Sequence, residues 1–509
     1  MKKIKLIVLV LLIVLLIIIL FYEIFGTNLS YLSSREIKEN RILNTNLITQ
    51  LKINNVDAIY EKNTNTFYYT IPSKYENNLY ILNLNLEDGF KYKIIDETLN
   101  IIKVNYTKEI NVIIYNDKYY FETKIQLTNL PLINILSEDE ITSNDTKTQF
   151  NYFNNTNTKK TINLNSLINI RGSTSKWFDK KSYKINFTNK SYTDEKDINI
   201  ENFYNGDSLI LDAVYRDPSK IRNVLCIELW NNISNDFSNV NIYSEFVELF
   251  INNEYKGLYV LTEPINRTKL NLNKTSSNDT SVIVKSSVWG KILNIREYYK
   301  IGENEYLYYE LKYPNDKNMY EKSWNIVLNK LSKYYNNVDL YDVIKNSFNI
   351  ENYIDMIIFN AFTNNVDNKI EKNNYFYINS LTDPQLFIQP WDMEYTYGLL
   401  FAENMFNNFI KKEDYKIIYT KFYHTNSSEI NKLLIERYWE LRENILTIDF
   451  FDSLLGKYLD ELTKGAASRD SEKWYEYDIE KEIEEIRSWI YNRIEFFDEY
   501  VESIENEKS

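Results

Sequence analysis

One stretch in the second half of the chain constrains the fold most, because it combines a predicted β-hairpin with two acids and an amide. Residues 375–378 and 386–388 are apolar or aromatic, and the residues between them favour a turn. If the two strands pair antiparallel, Asp392 lies beside Asn374, with Asp367 just upstream. Phosphoryl transfer needs this arrangement: one carboxylate accepts a hydroxyl proton, while another carboxylate and an amide oxygen hold Mg²⁺ against a nucleotide.

The N-terminus contains an apolar run from Leu6 to Phe21 that holds only Leu, Ile, Val and Phe. With its neighbours it is about long enough to span a bilayer. Three lysines precede the run and an acidic residue follows it, so the charge bias predicts a cytoplasmic N-terminus and a single-pass membrane protein. The bulk of the chain is then expected outside the cell or in a lumen. A cleaved signal peptide is the alternative, but no clear small-x-small cleavage site follows.

The scarcity of cysteine and histidine excludes several classes of site. Cys226 and His424 are the only residues of their types among 509, so an intrachain disulfide is impossible. Zinc sites with several histidines and Cys/His nucleophile pairs are also excluded. Any catalysis must therefore depend on carboxylates and lysines. The net charge of −13 argues against a nucleic-acid binder with a broad basic face.

Strand-like and helix-like patterns divide the chain into two parts. Short apolar runs alternate with polar breaks from about residue 58 to 136, which favours a small β domain, and residues 138–162 are polar enough for a loop or linker. Residues 163–290 are again rich in predicted strands, with one helix after Asp217. From 320 onward helical periodicity dominates. A β-rich lobe followed by a helical lobe, with the carboxylate hairpin early in the second, is the order of kinase-like folds.

Four sequence blocks carry a resemblance to a known family. They are Arg171-Gly172-Ser173-Thr174-Ser175 running into Lys180 to Phe187, Tyr215 to Asn223, Asn252 to Ile265, and the hairpin with Tyr395 and Gly398 after it. Each block alone is a weak match. In this order and spacing they resemble the spore coat protein H (CotH) kinase family, an atypical protein-kinase-like group, over about residues 170–400.

The resemblance implies an α+β fold: an atypical two-lobed protein-kinase-like domain with a β-rich N-lobe and a helical C-lobe. A small β-rich domain and an N-terminal transmembrane helix are expected to precede it. The predicted boundaries are a membrane anchor at 1–26, a stalk and small β-rich domain at 27–160, and the kinase-like domain at 161–509. Its N-lobe is expected at about 161–290 and its C-lobe at about 291–509.

The resemblance gives the hairpin residues separate roles. Asp367 is the expected catalytic base, and Asp392 and Asn374 are the expected Mg²⁺ ligands. In the familiar kinase pattern the asparagine comes five residues after the base, where this chain has Lys372 followed by two asparagines. Glu394 stands where the family usually has a second aspartate, and it could ligate a second metal or tune the first.

Two lysines are candidates for phosphate contact. Alternation along residues 180–187 places Tyr183, Ile185 and Phe187 on one face, with Lys180 and Lys184 on the other. A buried strand that aims lysines into a cleft would neutralise the phosphates of ATP. The alternative is an edge strand whose lysines face water.

Other candidate nucleotide contacts lie in the same blocks. Arg171 and Ser173 could belong to a loop over the phosphates, or to a plain turn. Arg222, on the first turn of the predicted helix, could reach phosphate or pair with an acidic residue of the cleft. Glu263 directly follows an apolar strand and could hydrogen-bond ribose or adenine, or cap the next segment.

These observations predict a membrane-anchored kinase with ATP and Mg²⁺ as cofactors and a protein substrate. The resemblance implies transfer of the γ-phosphoryl group to Ser or Thr hydroxyls of secreted or surface proteins. One alternative is a cell-surface adhesin or spore-coat structural protein that uses the kinase-like domain as a scaffold. Another is transfer to a sugar or small molecule by the same carboxylates.

Overall fold

A computed structural model gives the structure of the chain. It describes residues 33–44, 48–95, 100–154, 160–172, 175–200, 204–234, 240–276, 278–287, 300–301, 305–306, 309–336, 341–368, 372–400, 411–412, 414–416 and 428–506. Within these residues strands dominate as far as Thr262, and most helices follow Asp316.

The predicted fold class needs a correction, because it included an N-terminal transmembrane helix. Among the described residues, no helix is both long enough and apolar enough to cross a membrane. The predicted anchor, residues 1–26, lies outside the described residues. The fold that the structure supports is α+β, with a β-rich N-terminal region and a helical C-terminal part.

The first folded unit is a mixed β-sheet, here called the N-terminal sheet domain (residues 33–128). Its elements are α1 (Ser34–Glu39), β1 (Ile42–Leu43), β2 (Leu51–Ile53), β3 (Val56–Glu61), β4 (Thr66–Thr70), β5 (Leu79–Ile81), β6 (Leu84–Asn85), β7 (Lys91–Ile94), β8 (Ile101–Lys103), β9 (Glu109–Tyr115) and β10 (Tyr119–Thr128). The strand order is β6-β2-β3-β4-β10-β9-β7, with β1 also on β10, while β5 pairs with β8. Alternating apolar residues of these strands close a separate hydrophobic core.

A closed barrel follows, in the order β11-β12-β13-β14-β17-β19-β18. The elements of this region are β11 (Leu132–Leu136), β12 (Thr146–Asn154), β13 (Lys160–Arg171), β14 (Ser182–Phe187), β15 (Ile198–Ile200), β16 (Tyr204–Gly206), β17 (Ser208–Asp212), α2 (Arg222–Ile233), β18 (Ser244–Ile251) and β19 (Glu254–Thr262). The sequence interpretation differs from the structure at 138–162, where β12 and the start of β13 replace the expected linker. The polar residues of β12 gave no strand signal, and buried Thr148 satisfies its hydroxyl by hydrogen bonding to Ser166 on the adjacent strand β13.

The helical part contains a second sheet and the remaining helices. The elements are β20 (Val282–Ser287), β21 (Lys300–Ile301), β22 (Glu305–Tyr306), β23 (Tyr309–Tyr313), α3 (Lys317–Asn336), α4 (Tyr341–Ser347), α5 (Ile350–Thr363), β24 (Lys372–Ile378), β25 (Phe387–Pro390), β26 (Leu399–Leu400), β27 (Lys411–Lys412), α6 (Ser428–Asn444), α7 (Ile448–Leu462), α8 (Ala466–Lys473) and α9 (Ile479–Asn506). The second sheet has the order β21-β22-β23-β20-β24-β25. The predicted hairpin is confirmed, because β24 and β25 pair antiparallel with Asn374 opposite Pro390.

Helix α2 joins the barrel to the helical part. Its residues are almost all buried, so it lies inside the molecule rather than on a surface. The Trp230 ring meets Phe359 of α5 edge to face at 5.3 Å, and Trp230 Nε1 donates to Gln389 Oε1 of β25 at 3.1 Å. The barrel and the hairpin therefore share one hydrophobic core, which fixes the position of the start of α2 relative to the hairpin.

Helix α8 returns from the C-terminal part and packs against β19 where that strand contains a glycine. Gly257 has a positive φ of 102°, and a Cβ there would lie 2.2 Å from Asp470 Oδ1 and 2.9 Å from Trp474 Nε1. Asp470 Oδ1 in turn accepts the backbone N–H of Leu258 at 2.9 Å. The close approach of α8 thus requires the residue without a side chain.

We expect Gly257→Ala to lower the free energy of unfolding by about 2–4 kcal/mol, because the new methyl group meets Asp470 and the backbone is strained. The matched control is Gly456→Ala, since Gly456 lies within α7 with nothing within 4 Å of its added Cβ. Alanine there should stabilise the protein by up to about 1 kcal/mol. Chemical denaturation of both variants measures the difference, and equal effects would contradict the packing of α8 on β19.

Candidate active site

Backbone hydrogen bonds bring the two predicted acid segments to one place. Helix α5 ends at Thr363 and is capped by Asn364, whose left-handed conformation (φ 52°) turns the chain toward Asp367. The Val366 N–H donates to Tyr395 O at 3.3 Å, and the Tyr397 N–H donates to Thr363 O at 2.8 Å. The segment before Asp367 and the segment after Asp392 are therefore tied together at the open end of the hairpin.

Asp367 is buried, with 4 % of its surface exposed, and both its carboxylate oxygens have donors. Lys372 Nζ lies 2.6 Å from Oδ1, and Asn373 Nδ2 donates to Oδ2 at 2.8 Å. Lys372 stands five residues after the acid, at the position where the familiar kinase pattern has an asparagine. Charge-assisted bonds of this length fix the orientation of a carboxylate.

Asp392 is exposed and has a positive φ of 61°, an uncommon conformation for a residue with a side chain. Its charge contributes to raising the pKa of two neighbouring acids. Burial, then Asp392, Asp212, Asp217 and Asp367, raise the pKa of Glu394 well above its ordinary value. Burial, opposed by Arg171 and reinforced by Asp392, also raises the pKa of Asp212. The acids crowd one region, and a cation between them would relieve their repulsion.

The donor set fits a hard divalent cation. Among the described residues, no group of three or more His, Cys, Asp or Glu side chains is placed to hold a metal by itself. Mg²⁺ is commonly bound by only one or two carboxylates together with phosphate oxygens. Asp392 and Glu394 match that pattern, because they are two neighbouring carboxylates and Asp392 is exposed.

Two asparagines near Asp392 can supply an amide oxygen. The predicted ligand, Asn374, donates from Nδ2 to Lys372 O at 3.0 Å. Sequence reasoning missed Asn368, which donates from Nδ2 to Asn373 O at 3.0 Å and to Trp391 O at 2.8 Å. Its buried Oδ1 has no hydrogen-bond partner within the described part of the chain. The only sequence signal for Asn368 is its place directly after Asp367.

The barrel contributes Asp212, at the end of β17, which sequence reasoning also missed. Asn223, in the first turn of α2, donates from Nδ2 to Asp212 Oδ2 at 3.2 Å and accepts the Met393 N–H at 3.1 Å. One amide thus joins the barrel acid to the segment between Asp392 and Glu394. The available signal was an acid at the end of an apolar strand run.

Two cations face these acids. The Arg171 guanidinium lies 5.7 Å from the centre of the Trp391 ring, and its charge opposes the rise that burial causes in the pKa of Asp212. Half-buried Lys285 of β20 lies with its ammonium 5.5 Å from the centre of the Tyr375 ring. Burial, then Arg171, lowers the pKa of Lys285 to about 8, while Asp392 opposes the change. Sequence reasoning missed Lys285 because β20 carries no motif.

A family model described as CotH kinase protein matches residues 168–497, which is more than half of the chain. The chain belongs to the CotH kinase family. The resemblance predicted from the four sequence blocks is therefore confirmed. No curated protein matches the chain. Family membership supports a kinase-like enzyme.

The two lysines predicted for phosphate contact in this CotH domain have different surroundings. Tyr183, Ile185 and Phe187 are buried as predicted, and Lys184 is exposed on the opposite face of β14. Lys180 is buried, and its Nζ donates to Leu258 O and to Asp470 Oδ1, the latter at 2.7 Å. Lys180 is thus held in an ion pair with α8.

The other predicted nucleotide contacts of the CotH domain lie apart from the acids or have protein partners. Ser173 lies outside the described residues. Arg222 pairs with buried Asp217 at 2.6 Å and donates to Thr396 O at 3.2 Å. Arg222 therefore fastens α2 to the segment that follows Glu394.

Glu263 of the CotH domain lies at the other end of the barrel strands from Asp212. The β17–β19 register sets Ile210 opposite Thr262, which separates Glu263 from Asp212 by about 10 Å along the sheet. Glu263 accepts the Tyr243 N–H at 2.7 Å and pairs with Lys269. It lines a polar cavity of about 390 Å³ together with the C-terminal half of α2.

Proposed function

We propose that this CotH kinase transfers the γ-phosphoryl group of ATP to a hydroxyl group of a protein. The observation that carries the proposal is the pairing of two unlike acids at the open end of one hairpin. Asp367 is buried and oriented by Lys372, whereas Asp392 is exposed beside Glu394. A fixed buried base and an exposed metal ligand are the two carboxylate roles in kinase chemistry.

In the proposed reaction the oxygen of the acceptor hydroxyl forms a bond to the γ-phosphorus of ATP, and Asp367 accepts the hydroxyl proton. The bond between the γ-phosphorus and the oxygen that bridges to the β-phosphate breaks, and ADP leaves with its electrons. Lys372, held 2.6 Å from Asp367, supplies positive charge on the acceptor side of the phosphoryl group. Asp392 and Glu394 would hold Mg²⁺, with the amide oxygen of Asn374 or Asn368. Mg²⁺ held there would neutralise negative charge on the phosphates.

We assign the phosphate contacts to Arg171 and Lys285, because Arg171 lies 5.7 Å from the centre of the Trp391 ring, next to Asp392 in the chain, and the charge of Asp392 acts on Lys285. Lys180 and Arg222 already have buried carboxylate partners, so they are available to phosphate only if those pairs break. Lys184 and Ser173 stay predicted contacts. The assignment places the triphosphate between the barrel rim and the open end of the hairpin.

Transfer of label from γ-labelled ATP tests the proposed function. The full chain is incubated with Mg²⁺ and labelled ATP, alone and with candidate proteins, and phosphoamino-acid analysis identifies the acceptor residue. We expect Mg²⁺-dependent label on Ser or Thr. Label on a sugar or small molecule would support phosphoryl transfer by this site but would contradict a protein hydroxyl as the acceptor. A folded chain that neither binds Mg²⁺·ATP nor transfers label would overturn the proposal.

The affinity for Mg²⁺·ATP should fall as the pH rises above about 8, because the lowered pKa of Lys285 leaves it uncharged there in the free enzyme. Each further pH unit should weaken binding by up to about tenfold, since one pKa unit corresponds to a tenfold change in the charged fraction. Lys285→Met should bind weakly with no such dependence. Calorimetric titration measures both, with exposed Lys345→Met as the control. An unchanged slope in Lys285→Met would contradict the assignment.

A further inference from the structure

Asp470 of α8 is a carboxylate from the C-terminal part that lies buried inside the barrel region. Its Oδ1 accepts Lys180 Nζ at 2.7 Å and the Leu258 N–H at 2.9 Å. Its Oδ2 accepts the Tyr477 hydroxyl at 3.1 Å and lies 3.8 Å from Lys220 Nζ. One carboxylate therefore compensates two buried ammonium groups, which is unusual because burial of charge is costly.

Lys220 connects this carboxylate to the loop between β17 and α2, residues 213–221. Its side chain is fully buried, and Nζ donates to Val214 O at 3.1 Å and to the Tyr475 hydroxyl at 3.0 Å. The ammonium also lies 4.4 Å from the centre of the Tyr477 ring. Lys220 thus closes the loop onto itself and joins it to the residues after α8.

The two residues that this hydrogen bond joins, Val214 and Lys220, both have strained backbone conformations. Val214 has a φ of 41° and Lys220 a φ of 61°, although neither is glycine. A positive φ is a genuine outlier for a β-branched residue such as valine. Such conformations persist only where surrounding contacts hold them, and the Lys220 bond to Val214 O supplies one such contact.

The strained loop joins two residues of the candidate active site. Asp212 directly precedes it, and Asn223 follows it within the first turn of α2. Asn223 binds both Asp212 and the Met393 N–H, next to Asp392. A change in the loop would therefore move the amide that positions the proposed metal-binding segment.

Helix α8 is itself held by the N-terminal sheet domain, through the residue before Asp470. Arg469 forms a bidentate pair with buried Glu248 of β18, with both N···O distances 2.9 Å, and donates to Tyr106 O at 3.1 Å. Tyr106 precedes the first residue matched by the family model, 168. The position of Asp470 thus depends on contacts with both the barrel and the sheet domain.

We propose that Asp470 and Lys220 are positioning residues that hold the 213–221 loop in its strained conformation and so place Asn223 against the segment that binds Mg²⁺·ATP. This inference rests on the proposed function for its effect on nucleotide. It assigns α8, and through Arg469 the N-terminal sheet domain, a part in shaping the active site.

Lys220→Met in the full chain is the sharpest test, because it removes the connection to the loop and leaves the Lys180–Asp470 pair intact. Hydrogen exchange should become faster in the peptide covering 213–223, and the KM for Mg²⁺·ATP should rise at least tenfold with a smaller change in kcat. Asp470→Asn is a second variant with the same expected pattern. Arg442→Met is the control, because it breaks an ion pair with Asp498 between α6 and α9, at 2.8 Å, that does not involve the loop.

Wild-type exchange at 213–223 in Lys220→Met would overturn the inference, and so would faster exchange without a change in KM. The same pattern in Arg442→Met would assign the effect to general loss of stability and overturn it too. If the wild-type chain binds no Mg²⁺·ATP, the proposed function fails, and the exchange measurement alone decides whether Lys220 holds the loop.

Discussion

Asp392→Asn should abolish Mg²⁺-dependent ATP binding and phosphoryl transfer while leaving the free energy of unfolding unchanged or higher. The functional loss follows because Asp392 is the exposed carboxylate of the site, and an amide is a weaker ligand for a hard cation. Stability should not fall, since the substitution removes repulsion from Glu394 and Asp212. Asparagine also tolerates the positive φ of 61° at this position.

The test separates loss of a metal ligand from misfolding, because Mg²⁺·ATP binding should fall while the free energy of unfolding does not. Isothermal titration with Mg²⁺·ATP measures binding, and denaturant unfolding measures stability on the same preparation. Asp383→Asn is the matched control, because Asp383 is an exposed acid in the turn of the same hairpin. It should change neither quantity. Mg²⁺·ATP affinity within threefold of wild type in Asp392→Asn would contradict the metal role.

The hairpin could be predicted from the sequence because every interaction that defines it is local. Turn residues separate two apolar runs, and the antiparallel register follows from the turn. The end of α5 before Asp367 was equally visible, since the helical pattern stops at the residues that form the left-handed cap. Local patterns therefore placed Asp367 and Asp392 near each other.

The partners of these acids could not be predicted, because they come from distant parts of the chain. Lys285 reaches the site from β20, and Asp212 from the end of β17, each without a motif. Lys180 shows the reverse error of local reasoning. Alternation placed Lys180 on the same strand face as Lys184, but Lys180 precedes β14 and is buried. Its partner is Asp470, 290 positions later, and nothing near Lys180 in the sequence indicates that pair.

The N-terminal sheet domain also illustrates the limit of local patterns. Strand-like runs indicated its β content, but not that it packs against the barrel. The Tyr68 ring stacks on Tyr255 at 5.5 Å, and the Tyr255 N–H donates to Glu61 Oε1 at 3.1 Å. These contacts join residues nearly two hundred positions apart. Local sequence patterns cannot indicate an interface between segments so far apart in the chain.

Asp367→Asn should lower kcat by about 10²–10⁴-fold, the usual contribution of a general base, while the Kd for Mg²⁺·ATP stays within about threefold of wild type. Asparagine keeps the shape of the side chain, and its oxygen can still accept a bond from Lys372. It cannot take the acceptor proton. We expect ATP binding to persist, because the proposed nucleotide and metal contacts are Asp392, Arg171 and Lys285 rather than Asp367.

The control for Asp367→Asn should remove a different buried carboxylate that forms an ion pair and lies outside the candidate active site. Asp355→Asn meets this need, since Asp355 is fully buried in α5 and pairs with Arg437 at 2.8 Å. This substitution should lower the free energy of unfolding, because it breaks a buried ion pair. It should leave kcat unchanged, because Asp355 has no proposed role in the reaction. A kcat within tenfold of wild type in Asp367→Asn would contradict the base assignment. Loss of Mg²⁺·ATP binding in Asp392→Asn would still support Asp392 as a metal ligand in that case. The next residue to substitute on the acceptor side would then be Lys372.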